Sequence, residues 1–289
     1  MIQIEDLDEY QLIKMAKDDM VNSMDDSSQM KKMLLHICSS GGKNIRPVML
    51  ILCTEMCGGN STEGVKAALA IEFIHSASLI HDDVLDGGLV RRGVESAHKK
   101  YGIPAAILCG DFLISKAISL ISGYGNDAVN EFGRAGMYMA EGETIDISSV
   151  DDEFREKNYY ECISKKTGSL FAASAAIGAY VANADSGTAR QLRSFGENVG
   201  NAYQIVDDLL EYLNELEDKS STYESVTLPL IYRRTMDHDG AVEKTVNQVR
   251  TCVKNAKDIL ASFPPSEARD KLELITDLIT VDMLPADVL

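Results

Sequence analysis

A long apolar segment that ends in a cluster of acids limits how this chain can fold. Residues 67 to 80 read AALAIEFIHSASLI, in which only Glu72 and His75 can ionise, and a helix that is apolar nearly all round is normally buried. Three carboxylates follow at once: Asp82, Asp83 and Asp86. Like charges one turn apart repel, and charges held out of water need compensation, for which a bound metal is the usual remedy. The segment therefore predicts a buried helix with a metal site at its end.

Apolar residues recur at intervals of three and four along most of the chain, which is typical of helices. The segments with this pattern are Glu5 to Met24, Met30 to Cys38, Pro47 to Cys57, Glu63 to Asp86, Ala105 to Ser122, Ala128 to Ile147, Glu153 to Tyr180, Ala189 to Leu216 and Ala241 to Leu260. No segment alternates convincingly as a strand does, and no linker or low-complexity stretch divides the chain. We therefore expect one all-α domain over residues 1–289.

The composition argues against several classes of function. A net charge of −17 and a pI near 4.7 disfavour nucleic-acid binding, which needs clustered Lys and Arg. The six cysteines show no CxxC pairing, so we expect buried, reduced thiols rather than a disulfide or zinc site. No run of about 18 apolar residues is evident, and the first nine residues lack the positive charge of a signal peptide. We expect a cytoplasmic protein without stable membrane insertion.

A second acidic cluster repeats the format of the first. DDVLD at 82 to 86 and DDLLE at 207 to 211 each follow an apolar helical run and place acids at i, i+1 and i+4. Helical bundles build metal sites from side chains on facing helices. Oxygen ligands with few carboxylates per ion suit Mg²⁺, which takes water and phosphate oxygens as its remaining ligands. The pair of clusters therefore favours a magnesium site that binds a diphosphate over chance surface acidity.

Cations that could bind phosphate lie in three short stretches. They are Lys43 and Arg46 in GGKNIRP, Arg91 and Arg92 in LVRRG, and Lys165 and Lys166 beside Thr167 in KKTGSL. The first stretch is not a Walker loop, because Ile37 stands where the first glycine should be and Asn44 replaces the Ser or Thr that binds magnesium. No GxGxxG follows a strand and no GxSxG occurs, so nucleotide-dependent functions are disfavoured.

Five stretches, in this order, resemble the trans-prenyl diphosphate synthases, also called polyprenyl synthetases: GGKNIRP, EFIHSASLIHDDVLDGGLVRRG, AILCGDFLISKA, KKTGSLF and YQIVDDLLE. The resemblance covers roughly Gly41 to Pro229 and is most specific in the first acidic motif with its RRG. It implies a single large helical bundle of the isoprenoid synthase type around a deep central cavity, paired as a homodimer. It also implies that isopentenyl diphosphate is condensed with an allylic diphosphate, with about three Mg²⁺ ions.

The resemblance also implies roles at the matched positions. The metal ligands would be Asp82 and Asp86, supported by Asp83, and Asp207, with Asp208 and Glu211 holding water around its ion. The allylic diphosphate would be held by Arg91, Lys166 and Lys219. Isopentenyl diphosphate would be held by Lys43, Arg46, His75 and Arg92. Thr167 and Gln204 would present oxygen dipoles to the developing cation.

The sequence also predicts, in part, the length of the product. The growing tail should run from Asp82 into the bundle, where Ala77 and Ser78 lie about one helical turn, roughly 6 Å, below it. In the family, aromatic residues at these positions stop growth at short products, so small ones imply geranylgeranyl diphosphate, with twenty carbons, or a longer product. Residues deeper in the bundle could form the floor of the channel, where chain growth ends. The candidates are Ile74, Phe73, Phe112 and the cluster 137 to 139.

Two departures from the family pattern keep other functions open. Glu211 stands where aspartate is usual, and the following stretch is short and lacks Gly-Lys pairs, which leaves Lys219 alone to substitute. The alternatives are a farnesyl-length synthase, a non-catalytic partner subunit of a heteromeric synthase, a terpene cyclase or head-to-head synthase, and a metal-dependent phosphohydrolase. A cyclase would not need Lys43, Arg46 and His75, an inactive subunit would have no reason to keep the acids, and a hydrolase would not require a deep apolar lining.

Overall fold

The computed structural model describes residues 3–39, 41–91, 93–149, 153–217, 225–286 and 288. The helices are α1 Asp8–Asn22, α2 Gln29–Ser39, α3 Ile45–Met56, α4 Ser61–Leu85, α5 Ala97–Tyr101, α6 Ile103–Ile121, α7 Gly125–Ile147, α8 Glu156–Ile163, α9 Ser169–Val181, α10 Ser186–Glu217, α11 Leu228–Arg233, α12 His238–Leu260 and α13 Glu267–Leu278. A π-helical turn, Ser164–Gly168, joins α8 to α9, and short 3-10 turns lie at Ile4–Asp6, Ser122–Tyr124 and Val281–Met283. The expected all-α fold is confirmed.

Several elements differ from the sequence-based prediction. A small antiparallel hairpin pairs β1 Val90–Arg91 with β2 Val94–Glu95, although no strand was expected. Helices α5, α11 and α13 were also not predicted, and the segment from 153 to 180 is interrupted by the π-helical turn. The two-residue strands and the five- and six-residue helices α5 and α11 are too short to show a period, whereas α13, with twelve residues, is long enough to have been predicted.

Helix α4 begins at a capping box and runs through the core. The Asn60 side chain accepts a hydrogen bond from the Thr62 backbone N–H, and the Glu63 side chain accepts one from the Asn60 N–H, which satisfies donors that a helix start leaves open. Helix α4 then packs against α3, α6 and α9, so its apolar residues are buried on several sides. This packing holds the acidic end of α4 in a fixed position.

Helices α3, α9 and α10 form the rest of the central layer. A Cβ at Gly178 would lie 2.6 Å from the Leu50 carbonyl oxygen, so α9 can approach α3 closely only with glycine there. Helix α10 packs along α9 and also against α12, and thereby connects the main apolar core to a second core around α8, α11 and α12. None of the five cysteines whose side chains the structure describes forms a disulfide: Cys53, Cys57, Cys109, Cys162 and Cys252.

The α6–α7 region is more apolar than expected. The stretch Ile103–Ile147 contains an 18-residue window with a mean hydropathy of 1.7, which meets the length and composition criteria for a membrane span, and 33% of that window is buried. The expectation concerned an uninterrupted apolar run, whereas this criterion admits up to two charged residues in the window. Core helices of soluble proteins can pass the same criteria, so composition alone does not assign this stretch to a membrane.

Candidate active site

The two acidic motifs meet at one cavity. Asp82 near the end of α4 and Asp207 in α10 both line a cavity of about 540 Å³, as do side chains from the start of α3 and from the π-helical turn. The structure brings the following predicted residues to this wall: Lys43, Arg46, His75, Ser78, Asp82, Arg91, Lys166, Thr167, Gln204 and Asp207. Residues from four separate segments of the sequence therefore share one space.

A second, more apolar cavity of about 460 Å³ adjoins the first. Its lining comes from α4, α6 and α7 and includes Ile74, Ser78, His81, Leu85, Ile114, Gly136, Met139, Ala140 and Ile147. Ser78, Asp82, Met139 and Lys166 line both cavities. The polar cavity thus shares a wall with an apolar one, which we call the tail cavity.

The carboxylates at the polar cavity are costly to ionise. Burial, followed by Glu143 and Asp86, raises the pKa of Asp82 to about 7, and Lys166 and Arg91 offset this only in part. Burial also raises the pKa of Asp207, against the opposing effect of Lys43. Bound cations would lower the cost of ionising both groups.

The donor set fits Mg²⁺ that is bound together with a ligand. In the ranges that the structure describes, no three His, Cys, Asp or Glu side chains converge closely enough to hold a metal ion by themselves. Mg²⁺ is commonly held by one or two carboxylates, with substrate phosphates and water completing its octahedral shell. Asp82 and Asp207 on one cavity wall match this arrangement.

Asp83 holds an arginine rather than facing the cavity. The Arg91 Nε donates a 2.7 Å hydrogen bond to Asp83 Oδ1, and the Asp83 side chain is 7% exposed. Because Arg91 lies in strand β1, this ion pair ties the hairpin to the end of α4 and places the guanidinium at the cavity wall.

Lys166 is held by two acids that the sequence analysis missed. Its Nζ lies 2.8 Å from Glu143 Oε2 and 2.6 Å from Asp146 Oδ2, both on α7. Burial alone would lower the pKa of Lys166, but these carboxylates outweigh it and raise the pKa above its ordinary value. Lys166 therefore stays protonated beside both cavities. Acids at i and i+3 in the apolar stretch AEGETIDI are the signal that could have revealed them.

A glycine allows α7 to approach the π-helical turn that carries Lys166. A Cβ at Gly142 would lie 2.3 Å from the Lys166 backbone nitrogen, a distance that backbone atoms cannot accommodate without moving. Single π-helical turns are frequent at functional sites because they redirect side chains within a helix. Here the turn directs both Lys166 and Thr167 to the cavity.

The GGKNIRP stretch forms the opposite wall. Asn44 has φ of +44°, which turns the chain into α3, and its side chain lines the cavity although it was not predicted to. The Arg46 Nη1 lies 3.2 Å from His75 Nε2, and the guanidinium lies 4.4 Å above the Phe171 ring. Ring stacking and the imidazole thus fix the cation of Arg46 at the cavity.

A chain of hydrogen bonds runs from the cavity wall into the protein. Thr167 Oγ1 donates to Gln204 Oε1 at 2.7 Å, and Gln204 Nε2 donates to Asp208 Oδ1 at 2.8 Å. Tyr159 Oη donates to Asp208 Oδ2 at 2.5 Å. Burial raises the pKa of Asp208 to about 7, and the bonds from Tyr159 and Gln204 reduce that rise. Asp208 lines a pocket of about 50 Å³ beside the polar cavity instead of the polar cavity itself.

Comparison with known proteins decides the family. The polyprenyl synthetase family model matches residues 27–262. The chain is 48% identical over 284 residues to geranylfarnesyl diphosphate synthase of Methanosarcina mazei, covering 98% of this chain and 96% of that protein. The chain belongs to the polyprenyl synthetase family. It is therefore a prenyltransferase of the trans-prenyl diphosphate synthase type.

Solved structures agree with this family fold. A crystal structure of a geranyltranstransferase from Methanosarcina mazei has a TM-score of 0.85 and 46% identity, covering 98% of this chain and 100% of that chain. A polyprenyl synthase from Caulobacter crescentus, in complex with calcium and isoprenyl diphosphate, has a TM-score of 0.80 and 30% identity, covering 94% of this chain and 97% of that chain.

Several site residues expected for a polyprenyl synthetase lie elsewhere. Asp86 and Glu211 are exposed and line neither cavity. Ala77 is fully buried and Phe112 packs on the core, so neither of these proposed chain-length residues lines either cavity, while Ser78 and Ile74 do. Among the deeper floors, Phe73 is buried away from both cavities and Met137 is 61% exposed, whereas Met139 lines both. Arg92 and Lys219 lie outside the described residues.

Proposed function

We propose that this polyprenyl synthetase condenses isopentenyl diphosphate with an allylic diphosphate and releases geranylfarnesyl diphosphate, the twenty-five-carbon product. The observation that carries the proposal is the placement of Asp82 and Asp207 on one cavity that shares a wall with an apolar one. A polar, cation-lined space beside an apolar space suits a substrate that consists of a diphosphate and a hydrocarbon tail.

Asp82 and Asp207 would hold Mg²⁺ together with the allylic diphosphate, with Asp86 and Glu211 close enough in sequence to contribute through water. Bound magnesium would stabilise the negative charge that develops on the departing diphosphate. Asp83 would act on the site through Arg91, since the two are paired.

The residues of the chain would bind, orient and shield the reactants. Lys166 and Arg91 bind the allylic diphosphate, and Lys43, Arg46 and His75 bind isopentenyl diphosphate. The allylic carbon–oxygen bond breaks, the isopentenyl double bond attacks the allylic cation, and a proton passes from the new chain to the departing diphosphate. Thr167 and Gln204 direct oxygen atoms toward the cation, and the apolar walls keep out water that would quench it.

Two observations bear on product length, and the first of them supports twenty-five carbons. A relative whose name specifies geranylfarnesyl diphosphate matches over nearly the whole chain. Below Asp82, the tail cavity is lined on α4 by the small Ser78 and then by Ile74, whose Cδ1 would lie 3.2 Å from a Cβ at Gly136. We assign this Ile74–Gly136 contact as the floor that ends chain growth.

The direct test incubates the purified chain with Mg²⁺, radiolabelled isopentenyl diphosphate and farnesyl diphosphate. We expect both substrates to be consumed and a twenty-five-carbon product to predominate. Ionisation of the allylic diphosphate with isopentenyl diphosphate unused would instead indicate a cyclase. Phosphate release alone would indicate a hydrolase, and turnover only after a second polypeptide is added would indicate a partner subunit.

We also propose that the protein is a cytoplasmic homodimer that pairs through α6 and α7. Large apolar side chains are exposed along these helices: Ile103, Ile107, Leu108, Ile118, Val129 and Met137. The exposed face of α6 carries few charges in a chain of which 25% is charged, and self-association would remove this surface from water. A second copy would thus account for the apolar stretch from 103 to 147.

Sedimentation equilibrium tests the dimer. The wild-type chain should sediment as a dimer, and Ile118→Glu should weaken dimerisation at least about tenfold, because a charge would be buried in the interface. Met15→Glu is the matched control, since Met15 is 64% exposed on α1. A monomeric wild type, or equal effects of both variants, would contradict this interface.

A further inference from the structure

The series of hydrogen bonds that links Tyr159, Asp208, Gln204 and Thr167 has a fixed donor-to-acceptor direction. Asp208 accepts a hydrogen bond at each of its two carboxylate oxygens, one from the Tyr159 hydroxyl and one from the Gln204 amide nitrogen. Tyr159 supplies one donor through its hydroxyl, and burial together with Asp208 keeps the pKa of Tyr159 far above its ordinary value, so the proton stays on the tyrosine. Gln204 supplies the other donor through its amide nitrogen.

The donor-to-acceptor direction set at Asp208 also fixes the hydrogen bond of Thr167 at the cavity wall. Because the Gln204 amide nitrogen faces Asp208, its amide oxygen must face Thr167 and can only accept. The Thr167 hydroxyl therefore donates its hydrogen to Gln204, and the remaining lone pairs of Oγ1 are left toward the cavity. A reversed Gln204 would place its amide oxygen against the carboxylate, and two facing acceptors repel.

We propose that Tyr159 and Asp208 are positioning residues that set the polarity of the Gln204–Thr167 pair, so that Thr167 presents oxygen lone pairs to the carbon that becomes positive. The proposal rests on the proposed function, because it requires an allylic cation beside Thr167. It also assigns Asp208 a different role from that of Asp207. Asp207 faces the polar cavity and Asp208 anchors the wall from behind.

Two isosteric variants separate polarity from shape. Asp208→Asn keeps the shape but offers an amide N–H to Gln204, so Gln204 can reverse and the Thr167 hydrogen can turn toward the cavity. Tyr159→Phe removes the donor that stabilises the carboxylate. Tyr160→Phe is the matched control, because it deletes a hydroxyl one residue away that does not contact Asp208.

The readout is the binding of two unreactive allylic diphosphate analogues, measured by calorimetry with Mg²⁺. One analogue carries an ammonium nitrogen at the position of the developing cation, and the other carries neutral carbon there. Asp208→Asn and Tyr159→Phe should each weaken binding of the ammonium analogue about tenfold and binding of the neutral analogue less than about twofold. Their kcat should fall by a similar factor with KM nearly unchanged, and Tyr160→Phe should match the wild type.

Equal weakening of both analogues would overturn the proposal, because loss of a metal ligand or of the local structure would reduce diphosphate binding regardless of charge at the tail. Normal binding of the ammonium analogue by both variants would overturn it as well. A wild-type chain that never consumes isopentenyl diphosphate would instead refute the proposed function on which the inference rests.

Discussion

Asp82→Asn should reduce turnover by at least about 10³-fold while the protein remains folded. The substitution removes a half-buried carboxylate that lines both cavities and replaces it with a neutral group of the same shape. Turnover is measured with saturating substrates and Mg²⁺, and folding by circular dichroism. Asp258→Asn, at a site whose side chain is 63% exposed, is the matched control and should retain full activity.

The same variant should be at least as stable as the wild type when no metal is present. The pKa of Asp82 rises from 3.8 to about 7 on folding, so the native state binds more protons than the unfolded state between those pH values. The stability of the metal-free wild type should therefore fall as pH rises from about 4 to about 7, and Asp82→Asn should lack this part of the decline. Near-normal turnover, or a large loss of metal-free stability, would contradict the role assigned to Asp82.

Ser78→Phe should shorten the product by at least one isoprene unit. Ser78 lines both cavities, so an aromatic ring there would block the passage from the polar cavity to the tail cavity. Ile74→Ala should have the opposite effect, because it removes the side chain that packs on Gly136 at the floor. Product lengths are measured by chromatography after incubation with radiolabelled isopentenyl diphosphate.

Phe112→Ala provides the control for chain length. Phe112 was a candidate floor in the sequence, but it packs against the core and lines neither cavity, so its loss should leave product length unchanged. If Ser78→Phe does not fold, Ile74→Ala alone tests whether the tail cavity sets product length. Unchanged products in a folded Ser78→Phe and in Ile74→Ala would exclude the tail cavity as the channel for the growing chain.

The sequence predicted the meeting of the two acidic motifs because both have the same spacing and follow apolar helical runs. This spacing is visible within a few residues of sequence. Helical bundles usually bring such acidic side chains together on helices that face each other. Lys43, Arg46, His75 and Lys166, each in a motif that resembles the family, also line this cavity, and their roles there stay predictions.

The remaining features depend on contacts between distant segments. The pairing of Lys166 with Glu143 joins α7 to the π-helical turn, and the bond from Tyr159 to Asp208 spans 49 residues. Ala77 and Ser78 both precede Asp82 by about one helical turn, and only the packing of α4 against its neighbours decides that Ala77 enters the core while Ser78 lines the cavities. A period of 3.6 residues indicates which residues share a face but not which neighbour that face meets.

The most direct test is a crystal structure with Mn²⁺ and an unreactive allylic thiolodiphosphate, in which anomalous scattering locates the metal. We expect manganese beside both Asp82 and Asp207, bound to the same diphosphate, with the hydrocarbon chain in the tail cavity between α4 and α7. Metal at only one of the two aspartates, or a diphosphate bound away from both, would contradict a shared metal–diphosphate site.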